Sequence, residues 1–230
     1  MTHLIPNHLK ENSAQGLTLS ESIAQFEIGD YKNLVYLILD WQSKQAAIVD
    51  PQTDLSAPLQ ALSENGFKLT AVLLTHSHWD HIAGVPELQI KYPSLPIYVH
   101  ELDARRLEAS PSIHWIKNQD VIQVGTLPVR VLHTPGHSSG ECCFLLEKTS
   151  PPFLLTGDTV FIRDCGRTDL ESGSSSQMFN SLQEIKKLAP STIILPGHHY
   201  AKECASTLEQ ELISSPPMKC LNTEELEKLP

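Results

Sequence analysis

The chain lacks the run of ~18–20 apolar residues that a membrane-spanning helix needs. Its best candidate, Leu34 to Leu39, is only strand-length. It is also short of positive charge: 17 Lys and Arg stand against 27 Asp and Glu, a formal net charge of −10. That balance argues against a nucleic-acid partner or an anionic membrane surface. The opening MTHLIPNHLK has no basic segment followed by an apolar one, so no secretory signal is expected. Cysteine is sparse and odd in number, five in all, with Cys142 and Cys143 adjacent. This excludes a disulfide framework and points to a reducing cytoplasm. The 230 residues are 40% hydrophobic, enough to bury a core, and are expected to form a single domain over 1–230. What is plentiful is histidine, with 11 residues, several packed into short polar segments.

Strand and helix patterns alternate along the chain. Leu34–Asp40 and Ala46–Asp50 are apolar runs split by a polar stretch, the pattern of a β-hairpin. Thr53 or Asp54 can cap a helix through Leu55, Leu59 and Leu62 that ends at Asn65–Gly66. Leu69–Thr75 reads as a strand buried on both faces. Ile82–Tyr92 predicts a helix, Ile97–His100 a strand and Glu101–Ala109 a helix. Strands follow at Val121–Val124, Val129–Leu132, Cys142–Glu147, Phe153–Thr156 and Thr192–Leu195. Met178, Leu182, Ile185 and Leu188 form the apolar stripe of one later helix, and Ala205–Ile213 predicts another. Ser214–Pro217 reads as a linker, opening a short C-terminal tail over 214–230 with a last helix near Leu221–Leu229. This order predicts an α/β fold with sheets inside and helices outside.

The polar clusters all sit where a strand has just ended, the usual station of site residues. His76, His78, Asp80 and His81 follow one strand, and His137 follows a second. Asp158 and His198 follow two more. Imidazole and carboxylate together suit zinc, iron or manganese. His3, His8, His100 and His114 are expected to be ordinary surface residues. Gly136-His137-Ser138-Ser139-Gly140 formally matches a serine nucleophile elbow, but that motif needs a strand–turn–helix, and strand-like Cys142–Glu147 follows instead.

The order His76-Ser77-His78-Trp79-Asp80-His81, then a lone His137, Gly157-Asp158 and Gly197-His198, resembles the metallo-β-lactamase superfamily over roughly Leu34 to Tyr200. The resemblance implies an αββα sandwich. It implies one metal on His76, His78 and His137, a second on Asp80, His81 and His198, and Asp158 bridging them. It gives the cofactor as two Zn2+ per chain and the nucleophile as a metal-bridging hydroxide, with Asp80 and Asp158 the catalytic carboxylates.

Gly157-Asp158-Thr159-Val160-Phe161 and Cys165-Gly166-Arg167 resemble glyoxalase II and its relatives. That implies a hydrolase of acyl thioesters, small-molecule or carrier-bound, with Arg167 and Tyr200 contacting substrate. For Arg167 a surface ion pair with Asp164 or Asp169 is the alternative. Glyoxalase II carries a C-terminal helical domain, whereas only about 30 residues follow Tyr200 here. Weak activity on S-lactoylglutathione is therefore expected. Residues 163–169 also resemble the persulfide dioxygenases, which implies a second possibility: one Fe2+ at His76, His137 and Asp158, oxidising glutathione persulfide.

Overall fold

Residues 33–49 fold as the hairpin that their two apolar runs predict, and a sheet assembles around it. The computed structural model describes residues 16–107 and 110–229. This first sheet comprises β1 (Gly16–Ser20), β2 (Ile23–Ile28), β3 (Asn33–Asp40), β4 (Gln45–Val49), β5 (Lys68–Leu73), β6 (Ile97–His100) and β7 (Ile113–Ile116), in that spatial order. Neighbours from β1 to β4 are antiparallel, and those from β4 to β7 parallel. Parallel pairs need crossovers. Helix α1 (Ser56–Glu64) makes one, and α2 (Trp79–Ile82) with α3 (Val85–Lys91) the next.

The second sheet begins with β8 (Val121–Val124), β9 (Leu127–His133), β10 (Cys142–Leu146) and β11 (Phe153–Gly157). A small ribbon of β12 (Val160–Phe161) and β13 (Asp164–Cys165) and helix α4 (Ser175–Ile185) intervene. Strands β14 (Ile193–Pro196) and β15 (Ser206–Thr207) complete the order β15-β14-β11-β10-β9-β8. The chain ends in α5 (Leu208–Ser214), α6 (Pro216–Lys219) and α7 (Thr223–Leu226).

Three apolar layers explain why the strands read as continuous hydrophobic runs. Ile38, Val49 and Leu73 of the first sheet meet Val131, Phe144 and Leu155 of the second between the sheets. Leu37, Ile48 and Val72 pack outward on Leu62 and Leu88 of the helices. Leu145, Leu154 and Ile194 pack outward on Met178, Leu182 and Leu208. Each side chain buried in this way stabilises the fold by ~1.5–3 kcal/mol. The architecture is the αββα sandwich of the metallo-β-lactamase fold.

Several expectations need correction. The N-cap of α1 is Leu55, with no side-chain cap, because Asp54 is spent on the Ser56 N–H and hydroxyl. The helix expected over Ile82–Tyr92 is broken at Gly84, where a Cβ would lie 2.5 Å from the Gln52 carbonyl oxygen. Of Glu101–Ala109, the described residues 101–107 form only the 3-10 turn Ala104–Arg106, and Glu108 and Ala109 lie outside the described residues. His3 and His8 also lie outside them. The expected linker runs into α6, and Met218, Cys220 and Leu226 bury in the outer layer of the second sheet. Residues 214–229 thus pack as part of the sandwich. Among the described residues no helix is long and apolar enough to cross a membrane.

Candidate metal centre

Strands β5, β9, β11 and β14 each deliver a turn to one edge of the sandwich. After β5 the chain places His76 and His78, and the single turn of α2 presents Asp80 and His81. His137 comes from the β9–β10 loop, Asp158 follows β11 and His198 follows β14. His198 is stitched to the start of β3 through the bridge Asn33–His198 and the Leu34 N–H to Gly197 O bond of 2.8 Å. All seven side chains that the motifs single out arrive together.

Their ligand atoms form the groups His76/His78/His137 and Asp80/His81/His198, each within 4.8 Å, and His76 and His81 form a third such group with Asp50. Within them His137 Nε2 lies 2.8 Å from His78 Nδ1, and His81 Nε2 3.1 Å from His198 Nε2. Asp158 spans the first two groups. Its Oδ2 is 3.5 Å from His137 Nε2 and 3.5 Å from His198 Nε2, and its Oδ1 is 3.5 Å from His81 Nε2.

The outer ring nitrogens decide which nitrogen faces inward. His137 Nδ1 donates to the Arg167 carbonyl at 2.8 Å, and His198 Nδ1 to the Tyr31 carbonyl at 2.8 Å. His81 Nδ1 faces Asp50 Oδ2 at 3.1 Å. With the proton held on Nδ1, the Nε2 of His137 and of His198 keeps a lone pair directed at the centre, the arrangement of metal-ligating histidines.

Two further observations fit a cation. His76 Nε2 and Asp158 Oδ1 are buried without hydrogen-bond partners, an arrangement costly unless something coordinates them. Burial disfavours an imidazolium at His81, yet Asp158, Asp50 and Asp80 outweigh it and push its pKa up to about 9. The carboxylates around His81 therefore favour positive charge there, whereas burial and the neighbouring imidazoles hold the His76 pKa well below its ordinary value, keeping that ring in its neutral form. The donor set of imidazole and carboxylate suits zinc or iron and includes no thiolate.

Supporting residues escaped the sequence reading. Asp50 accepts the Thr75 N–H at 2.8 Å and the Thr75 hydroxyl at 2.6 Å besides facing His81, holding the β5 turn from behind. Asn33 donates to Asp80 Oδ2 at 3.1 Å and is itself held by Gln52 at 3.2 Å. Asp50 carried a weak signal, a carboxylate at a strand end. Asn33 carried none, since its partner lies 47 positions away.

The other singled-out residues are also placed. Arg167 is exposed and grips Asp169 by two hydrogen bonds of 2.6 and 2.7 Å, the surface pair foreseen as its alternative. Tyr200 stacks on His198 with ring centroids 4.7 Å apart, and Trp79 packs against Tyr31 at 5.1 Å. His100, expected at the surface, is instead buried and stacks on His133 at 4.1 Å, while the exposed His114 packs on Tyr98 at 5.3 Å. Neither is a member of the ligand groups. Ser138 is buried with its hydroxyl donating to Asp103, and strand β10 follows it, so the serine-elbow geometry is absent.

A sequence profile of the metallo-beta-lactamase superfamily matches residues 28–198. The chain is 35% identical over 175 residues to the "Probable polyketide biosynthesis zinc-dependent hydrolase PksB" of Bacillus subtilis (strain 168), covering 75% of each chain. Its fold is similar to that of ETHE1 from Myxococcus xanthus, with a TM-score of 0.79 and 28% identity over 90% of this chain and 92% of that one. It is also similar to the di-iron-bound form of TTHA1623, with a TM-score of 0.69 and 27% identity over 84% of this chain and 98% of that one. The chain belongs to the metallo-β-lactamase superfamily, in the branch of glyoxalase II and ETHE1.

Proposed function

We propose that the chain is a metal-dependent hydrolase of acyl thioesters carrying two Zn2+, on His76/His78/His137 and on Asp80/His81/His198, with Asp158 shared. The observation that carries this reading is Asp158, whose two oxygens reach imidazoles of both groups. Charge supports a bound cation. Asp50, Asp80, Asp158 and Glu141 bring four carboxyl groups to the centre, all buried except the partly buried Asp80. Negative charge held in a largely dry interior is costly unless a cation offsets it.

When bound, a metal pair lowers the pKa of a shared water and polarises the scissile carbonyl. The chain's own residues do the rest. Asp80, steered by Asn33, orients the attacking water through a hydrogen bond. A thiolate leaves readily, so no dedicated strong acid is needed. Burial, with Asp158 and Asp80 nearby, pushes the Tyr200 phenol up to about 12, so it stays a neutral donor toward substrate. The exposed rings of Tyr31 and Trp79 offer an apolar rim beside the ligands. The substrate is a small-molecule or carrier-bound thioester, with no nucleic acid or membrane involved. Five free cysteines suit a reducing cytoplasm.

The likeness to ETHE1 favours a second reading, one Fe2+ at His76, His137 and Asp158 with glutathione persulfide as substrate. Metal analysis of the purified chain, beside anaerobic thioester assays and oxygen-uptake assays, separates the two. Two metals per chain with oxygen-independent thioester cleavage is the expected result. One iron per chain with oxygen uptake on glutathione persulfide would overturn it.

A further inference from the structure

Glu141 has no part in the ligand sets above, yet it is 0% exposed and lies directly behind them. Its Oε1 accepts the Asp158 N–H at 2.9 Å, and its Oε2 lies 3.4 Å from His76 Nδ1. Oε2 has no hydrogen-bond partner and is itself buried. The approach depends on Gly157, which has φ +48°; a Cβ there would stand 2.5 Å from Glu141 Oε1. One carboxylate therefore touches the backbone of one ligand residue and faces the ring of another.

The hydrogen-bond roles around His76 follow by elimination. The Thr75 hydroxyl donates to Asp50 Oδ2 at 2.6 Å, so toward His76 Nδ1, 3.0 Å away, its oxygen accepts. His76 Nδ1 must then carry the proton and donate it to Thr75 Oγ1, with Glu141 Oε2 facing the same nitrogen at 3.4 Å, short of a hydrogen bond. Nε2 is left bare, buried and directed at the metal centre.

We propose that Glu141 is a positioning residue of this centre. Its Oε2 faces the Nδ1–H of His76 and, ionised beside bound cations, would strengthen that imidazole as a ligand, while its other oxygen holds the backbone of Asp158. This rests on the reading that the centre binds metal. Outer carboxylates of this kind change metal affinity by ~10–100-fold when removed.

The test compares Glu141→Gln, which keeps size but loses charge, with Glu141→Asp, which keeps charge but loses reach. Zinc affinity is measured by competition with a chromophoric chelator, and the ligand field by the visible spectrum of the cobalt-loaded chain. We expect Glu141→Gln to bind zinc ~10–100-fold more weakly with a shifted cobalt spectrum, and Glu141→Asp to recover part of the loss. If Glu141→Gln does not fold, a Glu141→Asp chain that folds and stays within tenfold of wild type supports the charge. A Glu141→Gln chain with wild-type affinity and spectrum would overturn the proposal. So would Glu141→Asp binding more weakly than Glu141→Gln, because packing alone predicts that order. A wild-type chain that takes up no divalent metal would overturn both this proposal and the reading beneath it.

Discussion

A carboxylate buried among imidazoles answers to them before it answers to water. Burial alone would raise the Asp158 pKa, but His81, His198 and His137 outweigh that and hold it well below the usual carboxylate range. Asp158→Ala removes a carboxylate whose two oxygens reach imidazoles of both ligand groups. Metal analysis of that variant should show loss of most of both ions, a loss larger than the ~10–100-fold affinity change of an outer-sphere residue. Arg167 stands at the other extreme. Its side chain is exposed and already compensated by Asp169, while its backbone carbonyl anchors His137. Removing the side chain keeps the anchor, so Arg167→Ala should raise KM by less than ~10-fold and leave kcat nearly unchanged. Asp169→Ala frees the guanidinium and should lower KM. If steady-state kinetics show neither constant moving in either variant, Arg167 belongs to the surface pair alone.

Between elements, Asp40 ties two hairpins together. At the end of β3 it accepts from Ser43 Oγ at 2.6 Å, Thr126 N at 2.7 Å, Thr126 Oγ1 at 3.0 Å and Gln42 N at 3.1 Å. Thr126 belongs to the β8–β9 turn, so the contact crosses from one sheet to the other. Burial would raise the Asp40 pKa, but these four donors outweigh it and bring it down to about 2. A pKa below the unfolded value of ~3.9 stabilises the fold above that pH, and the benefit fades as pH falls through about 2. Asp40→Asn should cost ~1.5–3 kcal/mol in urea unfolding at pH 7, and the difference from wild type should shrink steadily between pH ~4 and ~2. A difference constant with pH would mean that packing, not charge, is lost. The link to Thr126 was not legible in the sequence, since that residue lies 86 positions from Asp40. What was legible follows from local signals. The hairpin of β3 and β4 and the buried strands β5, β10, β11 and β14 are dense apolar runs. The seven side chains that the structure brings together at the candidate centre could be singled out because each follows a strand at motif spacing. Where propensity met tertiary contact the reading failed: Gly84 breaks a helix for the sake of the Gln52 carbonyl, and β1, β2 and β7 were missed.

At the scale of the whole molecule the last residues and the metal centre both bear on stability. Deleting residues 216–229 uncovers the outer face of the second sheet where Met218, Cys220 and Leu226 bury. At ~1.5–3 kcal/mol per side chain the cost is several kcal/mol, an upper figure because unfolded chains already hide some surface. Calorimetry should show a Tm at least ~10 °C lower for the truncated chain, and an unchanged Tm would mean that this segment is dispensable. The metal centre sets the opposite lever. Five imidazoles and four carboxyl groups meet at one edge, and His76 Nε2 and Asp158 Oδ1 are buried there without hydrogen-bond partners. A ligand that binds only the folded chain stabilises it by RT ln(1 + [L]/Kd), ~2.7 kcal/mol at 100 times Kd. Chelation should therefore lower Tm by several degrees, and excess Zn2+ should restore it with a logarithmic dependence on free metal. Asp158→Ala should abolish most of that dependence, because its carboxylate reaches both groups, whereas Arg167→Ala should retain it. A Tm indifferent to chelator and to zinc would mean that the polar centre is satisfied without metal, and would remove the physical ground for reading these residues as ligands.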